Sequence, residues 1–210
     1  MNRSAFALHR LAILVFTWLL LAGTGFAALF YYGATPGSGA AELVPCQKAP
    51  ELRWMTKGKT LVMFAHPQCG CTRAGINELA SVLARCEDVS AVNVVFVASR
   101  EDAAAWNNAP LVRLASELPG AHVVWDLDGK VAEQFQAQTS GWTMLFDEQG
   151  RTLFQGGVTA SRGHEGFNAG SALLYDCLVE RTHDGAAHPV FGCPLFDDAA
   201  NGRRGSDSSK

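Results

Sequence analysis

The sequence has little net charge and no excess of one sign: 17 basic and 20 acidic side chains give −3 over 210 residues. Without a basic face the chain has no electrostatic footprint for nucleic acid, and that partner is not expected. No internal repeat is visible along the chain. The first ten residues contain no acid, only Arg3 and Arg10 as strong charges, and no tidy small-x-small cleavage site follows the apolar run after them.

What is present begins with that run. Leu11 to Tyr32 is apolar or small throughout, and as a helix it would span roughly 33 Å, enough for a bilayer. A cleaved signal peptide is the rival, but its apolar core is usually shorter, about 7–15 residues. The expectation is an uncleaved, single-pass inner-membrane anchor with the basic N-terminus inside and the rest facing the periplasm or another extracytoplasmic space. The expected domains are a cytoplasmic N-terminus (1–10), a signal-anchor (11–32), a flexible tether (33–51), one folded domain (52–182) and a C-terminal extension with a disordered tail (183–210). A hydrophobic share of 48% is enough for one buried core. Six cysteines in an oxidising compartment point to redox chemistry.

The stretch Thr60–Cys86 carries the chemistry. Leu61, Val62, Met63 and Phe64 form an unbroken apolar run, as in a strand buried on both faces. A turn at His66-Pro67-Gln68 leads to Cys69-Gly70-Cys71, after which Ile76, Leu79, Ala80 and Leu83 recur at helical spacing. The cysteines therefore lie where a buried strand gives way to a helix. Free N–H groups and the dipole at a helix N-terminus stabilise an anion, and the thiolate is the reactive form of cysteine.

Beyond this stretch, Val92–Ala98 and His122–Leu127 read as strands and Ala103–Leu118 as a helix interrupted at Pro110. Lys130–Ala137 reads as a short helix. Thr143–Phe146 and Arg151–Phe154 form a hairpin around Asp147–Gly150, and Ser171–Glu180 a final helix. This order predicts an α/β sheet of parallel strands finished by an antiparallel hairpin.

Phe64 followed five residues later by Cys69 at a helix start resembles the thioredoxin-like superfamily. The insert His122–Ala137 and the Asp147–Gly150 turn resemble its peroxiredoxin-like and cytochrome-maturation branches. The resemblance implies a three-layer sandwich, a central mixed sheet with helices on both faces. It also implies a thiol–disulfide oxidoreductase that acts on protein thiols or disulfides. The departures are specific. The family's second cysteine falls at Thr72, whereas this chain has Cys71, and Gln68 replaces the usual Trp. Gly141 stands where the family has a cis-proline beside the sulfurs, and His66 stands where a peroxiredoxin has Thr.

Cys69, which precedes the helix, is expected to attack and Cys71 to resolve it. A disulfide across one residue is tight, and Gly70 eases it. His66 and Arg162 supply positive charge in this reading, and His164 lies in a loop that borders the cysteines in thioredoxin-like folds; a flexible surface loop is the bland alternative. Cys86 and Cys177 continue apolar helical stripes and read as packing residues. Cys46 and Cys193 flank the domain, have proline neighbours and fit no stripe. They are expected to form a structural disulfide, with a contribution of up to about 5 kcal/mol in the chain-entropy model. The rival is Cys193 folding back to resolve Cys69. No cofactor is expected on the leading reading. Two other readings stand beside it: a copper-binding redox protein using Cys69, Cys71 and His66 or His164, and a thioredoxin-like binding module without turnover.

Overall fold

A computed structural model describes residues 3–40, 42–86, 89–100, 103, 106, 109–179 and 185–196. The chain divides into two compact units, residues 1–35 and 36–210. The first is the helix α1 (Arg3–Ala34). Its stretch Phe6–Ala34 has a mean hydropathy of 2.1 in its most apolar window and is long and apolar enough to cross a membrane, as an anchor or a signal sequence.

The second unit is built on a six-stranded sheet in the order β3-β2-β1-β4-β5-β6. Its elements in chain order are β1 (Lys59–Ala65), α2 (Gly70–Leu83), β2 (Val89–Ala98), α3 (Pro110–Ser116), β3 (Ala121–Leu127), α4 (Lys130–Gln134), β4 (Thr143–Phe146), β5 (Thr152–Gly156), α5 (Ala169–Leu178) and β6 (Ala186–His188). β1 pairs parallel with β2 and β2 with β3, while β4 lies antiparallel to both β1 and β5. This is the expected α/β architecture, parallel strands finished by an antiparallel hairpin. β6 was not foreseen and pairs parallel with β5 at the sheet edge.

β1 is central, which is why its run is apolar without alternation: Leu61 to Ala65 have no exposed surface. Its side chains alternate between two cores. Leu61 and Met63 meet Ile76 and Leu79 of α2, together with α3 and α5. Val62 and Phe64 meet Val131 and Ala132 of α4, and also Val44, Leu52, Val190 and Leu195. The second core is therefore closed partly by irregular chain from both ends of the unit.

That corrects the expected tether. Its residues from 36 onward lie along the domain: the Gly37 N–H donates to Val190 O at 2.8 Å and the Thr139 hydroxyl to Ser38 O at 2.6 Å. Gln155 accepts from Val44 N and donates to Glu42 O. The helix expected from Ala103 is described as α3 from Pro110, and most of 101–108 lies outside the described residues, as do Glu180 and the tail after Phe196. α5 starts at a capping box, with the Asn168 side chain accepting from Ser171 N and the Ser171 hydroxyl from Asn168 N.

Candidate active site

Cys69 occupies the cap position of α2 in extended conformation (φ −77, ψ 115), with no capping hydrogen bond from its side chain. The turn before it is closed by the Cys69 N–H donating to His66 O at 3.1 Å, and the first helical turn by Thr72 N–H donating to Cys69 O at 3.0 Å. The sulfur is held at the positive end of the helix, as strand, turn and helix require. Cys71 follows in the first turn of α2 and is half-buried.

The third sulfur comes from the far end of the chain. Cys193 Sγ lies 2.9 Å from Cys69 Sγ, and the sulfurs of Cys69, Cys71 and Cys193 are all within 4.8 Å of one another. All six cysteines are free thiols. The expected Cys46–Cys193 staple is thus not formed: Cys193 faces Cys69, and the Cys46 side chain lies beside Gly150 in the β4–β5 turn. Neither cysteine fits a helical apolar stripe, but that says nothing of which partner each meets. Cys177 is buried as expected, and Cys86, just beyond the end of α2, is half-buried and packs against the first core.

Burial pushes the Cys69 thiol up, but hydrogen bonds from Cys193 and from Thr72 favour the thiolate and bring the net shift below the ordinary cysteine value. Cys71 moves the opposite way, through burial and then the neighbouring Cys69 charge, with Arg162 opposing. Burial, then the hydrogen bond to Cys69, then the Cys69 and Cys71 charges push Cys193 up to about 12. Of the three sulfurs, Cys69 is thus the one whose thiolate is favoured, while Cys71 and Cys193 are pushed towards the neutral thiol.

Thr72, the position of the family's second cysteine, supports the site through its hydroxyl. That hydroxyl lies 2.7 Å from the Ser140 hydroxyl, which also accepts from His66 N at 2.9 Å. Ser140 was not singled out from the sequence, because a serine in a loop carries no local signal. Gly141 is adjacent with φ +93, a conformation that favours glycine, and its N–H donates to Phe64 O at 2.7 Å. No cis peptide occurs among the described residues.

The loop 157–168 is tied to α2 rather than loose. Buried Glu78 accepts from Gly166 N and Asn168 Nδ2, and Asn77 donates to Glu165 at 2.9 Å. This brings the Arg162 guanidinium to the Gly192 carbonyl, to which it donates, next to the cysteines. His164 is exposed in the same loop. His66 accepts from Gln68 N at 3.2 Å and meets Trp106 edge-on. Neither histidine belongs to the group of potential metal ligands, which consists of Cys69, Cys71 and Cys193.

Replacing Thr72 with Val or Cys193 with Ala removes donors to the Cys69 sulfur. The midpoint of alkylation rate against pH should then rise in both variants, and in the wild type it should lie below that of a free cysteine peptide. A midpoint unmoved by either change would show that these hydrogen bonds do not set the thiolate.

No family model matches the sequence, and no curated protein matches it. Among solved structures, the chain is similar to an uncharacterised conserved protein from Geobacillus kaustophilus, with TM-score 0.54 and 18% identity, over 78% of this chain and 97% of the other. It is also similar to a hypothetical protein from Sinorhizobium meliloti 1021, with TM-score 0.50 and 23% identity, over 77% and 93%. A lower likeness, TM-score 0.41 at 17% identity over 58% and 84%, is to the pneumococcal exposed lipoprotein thioredoxin of Streptococcus pneumoniae. At these identities the likeness is one of fold.

Proposed function

We propose that the protein is a membrane-anchored, extracytoplasmic thiol–disulfide oxidoreductase acting on protein thiols or disulfides, with Cys69 as its nucleophile. The observation that carries this reading is a thiolate-favouring cysteine at a helix N-terminus with two neutral thiols within 4.8 Å. Cys69 attacks a disulfide sulfur, one substrate thiol leaves, and a second cluster thiol displaces the other from the mixed disulfide. The α1 helix supplies the anchor, and the six cysteines suit an oxidising compartment. Redox titration of the full chain in a glutathione buffer tests the reading. One two-electron transition is expected, absent in Cys69→Ser, with mass spectrometry locating the bond on Cys69. A chain whose thiols stay unpaired across the titration would overturn it.

A second reading is favoured by the same three sulfurs: a soft ion such as Cu(I) held by Cys69, Cys71 and Cys193. The donor set fits in kind. Trigonal sulfurs on bonds of about 2.3 Å stand roughly 4 Å apart, so the 2.9 Å Cys69–Cys193 pair would have to open around an ion. Forming a disulfide, with a substrate disulfide as the oxidant, only draws the pair closer, which ranks thiol exchange first. Competition between the full chain and a Cu(I) chelator separates the two; tight 1:1 binding lost equally in Cys69→Ser, Cys71→Ser and Cys193→Ser supports the metal site.

A further inference from the structure

After β6 the chain runs back across the site. The Ser140 N–H donates to Cys193 O at 2.8 Å, and the Leu195 N–H donates to Gln138 O at 2.8 Å. Between these bonds, Thr139 and Pro194 face each other as an antiparallel bridge. Gly192–Leu195 is thus a short extended strap laid along Gln138–Ser140, with its first carbonyl held by Arg162. The fit at its start is close, since a Cβ on Gly192 would collide with the Ser140 carbonyl oxygen. A cavity of about 510 Å³ adjoins the strap, lined among others by Glu133, Gln138, Thr139, Arg162 and Pro194.

Main-chain hydrogen bonds of this kind do not depend on side chains, so an edge that holds one extended segment can hold another. The strap places a cysteine against Cys69 by the same bonds that any extended chain would use. Resting on the reading of Cys69 as nucleophile, we infer that Cys193 is its resolving thiol and that Gly192–Leu195 stands in for an extended, cysteine-containing polypeptide, which displaces it along Gln138–Ser140.

Geometry favours Cys193 over Cys71 for this step. Cys69 and Cys71 are separated by one residue at the start of a helix, and a bond between them would strain the turn closed by Thr72 N–H and Cys69 O. Cys193 approaches from a separate segment and carries no such constraint.

Written in the reducing direction, the Cys69 thiolate attacks R–S–S–R′. The Cys69–S–R bond forms, and R′–S⁻ leaves and takes up a proton. Cys193 then gives up its proton and attacks Cys69 Sγ; the Cys69–Cys193 bond forms, and R–S⁻ leaves and is protonated. The substrate gains two electrons and two protons, and a dithiol donor resets the chain by the same exchange. The oxidising direction is the reverse.

The test uses the full chain and an extended peptide carrying one cysteine as a mixed disulfide with thionitrobenzoate. Cys71→Ser should pass through the Cys69–peptide adduct and end as a Cys69–Cys193 disulfide, seen by mass spectrometry. Cys193→Ser should stall at the adduct, with a lifetime at least tenfold longer. The opposite pattern, with Cys71→Ser stalling and Cys193→Ser completing, overturns the assignment and leaves Cys69 as nucleophile intact. No adduct in either variant, with Cys69 alkylated no faster than a free cysteine peptide, sinks the nucleophile and the strap together. Displacement is read separately. Gly192→Ala pries the strap from Ser140 and should raise the rate with the peptide disulfide relative to cystamine at least threefold, a ratio independent of the folded fraction. An unchanged ratio overturns displacement.

Discussion

Replacing Cys69 with serine is expected to abolish disulfide exchange, with a fall of at least about a thousandfold, because an alcohol at neutral pH is neither ionised nor a good sulfur nucleophile. The fold should tolerate the change. The side chain is buried but makes no capping hydrogen bond, and the backbone bonds that start α2 run through its N–H and carbonyl. Cys71→Ser should cost far less, since Cys71 is held neutral by burial and by the charge beside it. Insulin reduction under steady dithiol supply distinguishes the two. Equal losses in both variants would mean that the pair acts as one unit, and near-normal turnover of Cys69→Ser would move the chemistry to another sulfur. The pH dependence follows from the same shift. The lowered Cys69 value extends the attacking thiolate to lower pH than in an ordinary cysteine, and the single-turnover rate should fall as pH drops through it. The folded-state preference for that thiolate likewise contributes stability above the unfolded cysteine value and loses it on acidification through the folded one.

The halves of the site differ in how far the sequence reveals them. Cys69 and Cys71 were legible because a change of period locates them: an unbroken apolar run must be an internal strand, and the stripe Ile76, Leu79, Leu83 must be a helix, so the residues between are its N-terminus. Cys193 has no such frame. Its place depends on main-chain pairing with Gln138–Ser140, which leaves no trace in side-chain pattern. β6, only Ala186–His188, is too short to show alternation and pairs at an edge, where neither face is strongly apolar. Glu78 shows the same limit inside a helix. A carboxylate at a helical position reads as solvated, yet here it is buried and anchors the loop that brings Arg162 to the sulfurs. Fold class follows from local periodicity, whereas a site assembled from four distant segments depends on tertiary contacts.

The junction that delivers the strap is packed to backbone contact. Gly156 ends β5 with φ +133, a conformation that L side chains rarely adopt, and a Cβ there would collide with the backbone of His188 in β6. The neighbouring Gly157 is crowded in turn by the backbone of Pro189 and Val190, and Gly170 of α5 by Gly157 O and the His188 ring. Three glycines thus let β5, β6 and the start of α5 approach to backbone contact, and β6 leads directly into Val190 and the strap bearing Cys193. Gly156→Ala should therefore destabilise by roughly 3 kcal/mol or more, combining backbone strain with a clash against main chain that cannot rotate away. It should also slow resolution at Cys69, because a displaced β6 carries Cys193 with it. Urea denaturation measures the first effect and the lifetime of the Cys69–peptide adduct the second. Should Gly156→Ala fold within about 1 kcal/mol of wild type, with an unchanged adduct lifetime, β6 would not be what positions the strap. A large loss of stability with normal resolution in the folded fraction would instead show that Ser140, Gln138 and Arg162 hold the strap without it.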